Sequence, residues 1–192
     1  MTIVHFITHP EVSIDAAVPV PDWPLSPVGS RRMQVAMRQP WLAAVRSVFC
    51  SAERKAMDAA AVVANHLGLR RIVVEALGEN DRSATGYLPK GEFEAVADAF
   101  FAQPDDSVRG WERARDAQRR IVDAVERAIS MSVADGDVAI VSHGGVGTLF
   151  LCHLKGVAIS RSEDQPGEGG GNFFSFDAAD RHLLSEWRPI EA

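Results

Sequence analysis

The chain alternates short β-branched apolar runs with longer segments in which apolar residues recur every three or four positions. Residues 3–8, 46–50, 72–76 and 138–142 read as strands, and 172–176 and 182–187 as two later ones. Helical periodicity covers 27–38, 53–67, 91–101, 109–131 and 145–154, with Gly68 and Gly156 standing where C-caps would close the second and the last of these. Strand and helix in alternation predict an α/β fold: a three-layer α/β/α sandwich around a mostly parallel sheet. Residues 78–90 and the glycine-rich 167–171 read as loops, the first expected to cover a cleft. No repeat or linker interrupts the pattern, so residues 1–192 are expected to form a single domain.

Composition narrows the partners. Hydrophobic residues make up 46% of the 192 positions, enough to build a full core. Asp and Glu number 26 against 20 Lys and Arg, and the net charge of −6 argues against a broad surface for nucleic acid or anionic lipid. No apolar run reaches the roughly 18 residues of a membrane span, and the N-terminus lacks a leader pattern, so a cytoplasmic chain with no membrane partner is expected. The two cysteines, Cys50 and Cys152, fall in apolar surroundings and read as buried thiols, without a disulfide or a thiolate metal site. Charges of both signs along 109–131 read as a solvated helix face.

The chemistry concentrates at strand ends. His9 and His143 each stand just past an apolar run, where open α/β sheets bind ligands. Adjacent strands would bring the two imidazoles into one cleft, within about 6 Å, the range over which both could contact one phosphate. An imidazole can attack phosphorus while its neighbour carries a proton or charge toward the phosphoryl oxygens. Ser51 reads as the N-cap of the following helix, whose first turn holds Arg54 and Lys55, a combination suited to an anion. Gly144 and Gly145 would let backbone approach a ligand at the next helix start. Other site types fit poorly: His5 and His9 alternate on one strand but bring no third metal ligand, the 167–171 glycines lack the Lys of a phosphate-binding Walker loop, and Ser142 lacks a nucleophile elbow.

Five segments in order carry a resemblance: Thr8-His9-Pro10, Pro24-Leu25-Ser26-Pro27-Val28-Gly29, residues 51–60, Leu77-Gly78-Glu79, and Val141-Ser142-His143-Gly144-Gly145. Over nearly its whole length the chain resembles the histidine phosphatase superfamily, with its phosphoglycerate-mutase-like fold. The resemblance implies a cofactor-independent phosphomonoester hydrolase acting on a small phosphorylated metabolite. His9 would be the phosphorylated nucleophile, His143 the second pocket histidine and Glu79 the proton donor to the leaving group. Lys55 falls where an arginine normally binds phosphate, and Arg54, Arg82, Ser26, Thr8 and Gly144 complete the implied phosphate pocket. No metal is implied.

Two departures bear on activity. The family's first motif is usually Arg-His-Gly, so Thr8 offers at most one neutral donor where a guanidinium fork would make two charge-assisted bonds, a difference on the order of 2 to 4 kcal/mol. That corresponds to roughly 30- to 1000-fold in rate unless Arg82 or Arg54 substitutes. Pro10 removes a backbone N–H beside the nucleophile. A catalytically impaired phospho-ligand binder of the same fold is the alternative reading, and Asn172 reads as a turn or strand-opening residue rather than a site residue.

Overall fold

The computed structural model describes residues 1–192. Six strands form one sheet: β1 (Ile3–Thr8), β2 (Val45–Cys50), β3 (Arg71–Val73), β4 (Asp137–Ser142), β5 (Asn172–Asp177) and β6 (Leu183–Pro189), in the order β3-β2-β4-β1-β5-β6. The predicted parallel pairing holds from β3 through β2 and β4 to β1. Beyond β1 it changes, because β5 runs antiparallel to both β1 and β6, and the sheet is mixed with one reversed strand. The cause is the route taken after residue 156. α5 carries the chain away from the carboxyl ends of the parallel strands, and the connection then climbs back along that helix, with Ser160 beside Cys152 and Asp164 beside Thr148, until Gly171 N–H donates to His9 O and β5 starts there.

Five helices cover the two faces: α1 (Pro27–Ala36), α2 (Arg54–Leu67), α3 (Lys90–Ala102), α4 (Ala114–Met131) and α5 (Gly144–Lys155). Alternate residues of the central strands feed different cores. Phe6 packs with Phe150, Phe174 and Ile121 on one side, while Ile7 packs with Val48, Ala59 and Val63 on the other. Every residue of β4 is buried, in keeping with the unbroken apolar run over residues 138–141. Gly68 and Gly156 close α2 and α5 in the left-handed conformation, with φ of 67° and 65°.

Three expectations need correction. The helix expected from residue 109 begins at Ala114, because Arg109 (φ 51°) and Gly110 (φ 82°) turn the chain out of helical geometry. Trp111 therefore drops into the core on its own, with Nε1 donating to Thr85 Oγ1. The strand expected over 72–76 stops at Val73, and a 3-10 turn at Glu75–Leu77 lifts the chain away from the sheet edge. Ser51 is not the N-cap of α2; Glu53 holds that position, and Ser51 Oγ accepts the Glu53 N–H at 3.1 Å. Cys50 and Cys152 are free and buried, and burial pushes the Cys50 thiol up to about 11. No helix is long and apolar enough to cross a membrane.

Candidate active site

Parallel pairing of β1 with β4 sets Thr8 opposite Ser142, so both chains leave the sheet at the same level. His9 N–H then donates to Ser142 O at 3.2 Å, and the His9 and His143 rings meet edge to face with centroids 5.1 Å apart. His9 Nδ1 lies 2.9 Å from Pro10 O. A carbonyl only accepts, so Nδ1 carries the proton and Nε2 keeps its lone pair. Pro10 thus supplies, through its carbonyl, the group that orients the His9 ring. Burial, reinforced by His143 and Lys55, lowers the His9 pKa to about 3 against the opposing pull of Pro10 O and Glu79. The imidazole is neutral at physiological pH.

His143 is fully buried. Its Nε2 is 2.8 Å from Ser51 Oγ and 3.4 Å from Glu53 Oε1, while Nδ1 has no partner. Burial lowers its pKa despite the two nearby carboxylates. Glu53, not singled out by the sequence reading, is the hub of the site. One oxygen accepts from Glu79 N–H at 2.8 Å and the other from Lys55 Nζ at 2.5 Å. Burial works against ionisation of Glu53, yet His143, Lys55 and the Glu79 N–H outweigh it and bring its pKa down to about 2.

Lys55 is 3% exposed, with Nζ also donating to Val20 O at 2.8 Å. It reaches the cavity beside His9, as expected, but arrives already paired. Arg54 does not reach the cavity: one residue earlier on α2 it points outward and binds Asp58 Oδ1 at 2.8 Å, its side chain 56% exposed. Ser26 is likewise absent from the pocket, because its Oγ caps α1 by accepting Gly29 N–H. Thr8 is 1% exposed and turned toward β5, where Oγ1 accepts Asn172 N–H at 3.0 Å and donates to Gln165 Oε1 at 2.7 Å. Asn172 opens β5, as read from sequence.

Glu79 lies at the N-terminus of α5. Its oxygens accept Gly145 N–H at 3.0 Å and Val146 N–H at 2.9 Å, satisfying first-turn donors of that helix. A Cβ at residue 145 would sit 2.7 Å from Glu79 Oε1, which explains the glycine there. Arg82 Nη2 is 3.9 Å from Glu79 Oε2, and its guanidinium lies over Phe93 (5.2 Å) and Trp111 (5.5 Å). Burial alone would raise the Glu79 pKa, but Arg82, His143 and the Gly145 N–H lower it on balance, so the resting group is a carboxylate. Arg120, which nothing in the sequence pattern marked, holds this loop in place by donating to the carbonyls of Ala76, Gly78 and Glu79 while paired to Glu112.

These groups open into a cavity of about 560 Å3. His9, Lys55, Glu79, Arg82 and Gly144 line it, joined by Gln165, Trp23, Tyr87, Phe93 and Trp111. Neither Thr8, Ser26 nor Arg54 lines it. No group of three or more His, Cys, Asp or Glu side chains is placed to hold a metal ion; His5 instead binds Ser175 Oγ at 2.8 Å.

The sheet order, with two histidines meeting at adjacent strand ends, is that of a phosphoglycerate-mutase-like α/β protein. A sequence model of the histidine phosphatase superfamily (branch 1) matches residues 6–170, and the chain belongs to that superfamily. Among similar solved structures is a mycobacterial glucosyl-3-phosphoglycerate phosphatase with inorganic phosphate, 18% identical over 100% of both chains with a TM-score of 0.75. The same phosphatase in complex with VO3 is 17% identical, covers 98% of this chain and 97% of its own, and has a TM-score of 0.75. YhfR of Bacillus stearothermophilus is 18% identical over 95% of this chain and 94% of its own, with a TM-score of 0.76. No curated protein sequence matches the chain.

Proposed function

We propose that the protein hydrolyses phosphate monoesters of small metabolites through a phosphohistidine on His9. Superfamily membership supports a phosphatase, and the observation that carries the reading is the neutral His9 ring, anchored through Nδ1 to Pro10 O with His143 at 5.1 Å. In the first step Nε2 attacks phosphorus and the bond to the ester oxygen breaks, the electron pair leaving with that oxygen. Glu79 is the candidate donor of its proton. At rest Glu79 is ionised, but a phosphate dianion beside it raises its proton affinity by like-charge repulsion. In the second step water attacks the phosphohistidine, releasing inorganic phosphate and restoring His9.

The test is incubation with phenyl phosphate and an alkyl phosphate, with intact mass measured after an alkaline quench. A transient gain of one phosphoryl group, absent in His9→Ala along with phosphate release, supports the reading. Turnover that survives His9→Ala refutes it. One observation favours the alternative of a non-catalytic phospho-ligand binder: all four cations lining the pocket are engaged by carboxylates, Lys55 by Glu53, Arg82 by Glu79, Lys90 by Glu168 and Arg161 by Glu94. No turnover of any monoester, with phosphate affinity that depends on Lys55, would establish it.

A further inference from the structure

Gln165 lies on the connection between α5 and β5 and lines the same cavity as His9. Half of its amide is tied down and half is free. Oε1 accepts from Thr8 Oγ1 at 2.7 Å and from Asn172 Nδ2 at 3.1 Å. These partners decide which end of the amide is which. Asn172 Nδ2, fixed as the nitrogen by donating to the carbonyls of Pro166 and Gly170, can only donate, and the single Thr8 Oγ1 proton, whose other acceptor is Asn172 O at 3.2 Å, has Gln165 as its nearer one. The atom facing them is therefore the oxygen. Nε2 is turned the other way, makes no hydrogen bond to protein, and lies over Gly144, where a Cβ would come within 2.3 Å of it.

Gly144 directly follows His143 and lines the cavity with His9. A side-chain NH2 held at this point presents donors, and only donors, to whatever occupies the cavity beside His9. We propose that Gln165 Nε2 is a phosphate-binding group of this site, donating to a non-bridging oxygen, and that Thr8 and Asn172 are positioning residues that aim it. The proposal rests on the phosphatase reading and deepens it: where a cation would contribute charge at this end of the first motif, this chain uses a neutral, pre-oriented amide. It also gives Thr8 a role without contact to phosphate, consistent with its absence from the cavity wall. Pre-orientation matters because the amide need not be reorganised when the anion arrives.

The experiment compares wild type with Gln165→Ala, Gln165→Glu, Thr8→Val and Thr8→Ser. Calorimetric affinity for inorganic phosphate and orthovanadate is measured beside kcat and KM for phenyl phosphate. Loss of a hydrogen bond to a charged oxygen predicts phosphate binding about 10- to 100-fold weaker in Gln165→Ala. Gln165→Glu keeps the shape and the acceptor facing Thr8 but turns a carboxylate toward the anion, so it should bind phosphate more weakly still while melting like wild type. Thr8→Val should weaken phosphate binding and Thr8→Ser should restore it, a rescue that packing at residue 8 would not produce. Wild-type affinity in both Gln165 variants, or no phosphate binding by wild type, overturns the proposal. Wild-type binding that is lost in the Gln165 variants but never accompanied by turnover supports the proposal and overturns the hydrolase reading instead. Turnover unaffected at residue 165 does the reverse.

Discussion

Replacing Glu53 by Gln should destabilise the protein while strengthening its hold on phosphate. The carboxylate is 15% exposed, and its partners are Lys55 Nζ at 2.5 Å, Glu79 N–H at 2.8 Å and His143 Nε2 at 3.4 Å. A pKa brought from the ordinary 4.5 to about 2 corresponds, at about 1.4 kcal/mol per pH unit, to roughly 3 kcal/mol of stability at pH 7. Breaking a buried ion pair from one side gives a similar figure, about 3 to 5 kcal/mol. For a chain of this size that amounts to a fall in Tm of roughly 6 to 12 °C. The sign with pH follows from the depressed value: the contribution is complete above about 4.5 and is lost as pH falls toward about 2. The gap between wild type and Glu53→Gln should therefore be widest near pH 7 and shrink below pH 4.5. Meanwhile Lys55 loses its counter-charge, so phosphate should bind more tightly to the variant. Chemical denaturation at pH 7 and 4, with and without phosphate, measures all three effects. A variant that is destabilised and also binds phosphate less well would refute the view that Glu53 neutralises Lys55, and an unchanged melting curve would refute its place as hub.

Glu79→Gln should slow hydrolysis of alkyl phosphates by about 100-fold or more and phenyl phosphate less, since an acid matters most for a poor leaving group; equal slowing of both would indicate a positional role. Because the Glu79 pKa is lowered and His9 stays unprotonated down to about pH 3, alkyl phosphate turnover should rise as pH falls from 7 toward 5, and a flat profile would count against Glu79 as the acid. Arg82→Ala removes the strongest of the influences holding Glu79 ionised, so the same rise should begin at higher pH. Arg54→Ala should leave activity within about twofold and stability within about 0.5 kcal/mol, as for other exposed pairs, and a larger loss of activity would return Arg54 to the site.

How far the site could be read from sequence depended on how locally each role is encoded. His9 and His143 were legible because a histidine after an apolar run states its own position at a strand end. The step from Arg54 to Lys55 was harder: successive residues on a helix point about 100° apart, and only the packing of α2 shows that residue 55 faces inward. Glu53 looked like ordinary helix-start chemistry, since its partners Glu79 and His143 lie far along the chain and meet it only once the sheet order is known. Gln165 carried no signal, being one polar residue before a glycine-rich loop. The overlong helix came from extending an apolar period through Gly110, where the glycine was itself the stop signal. The reversal of β5 depends on which end of the sheet the preceding connection crosses, and no short-range pattern records that.

The ion pairs around the cavity bear on how a substrate finds it. Besides Lys55 with Glu53 and Arg82 with Glu79, the lining residues Lys90 and Arg161 bind Glu168 and Glu94 at 2.7 and 2.5 Å. Paired charges project little field beyond a few ångströms, so the mouth of the cavity offers no positive funnel to draw anions in from solution. On a chain with net charge −6, encounter with an anion would then meet net repulsion at low salt and would quicken as salt screens it. Polyanions would gain no advantage from their charge, and a ligand would have to be retained by fit within the cavity.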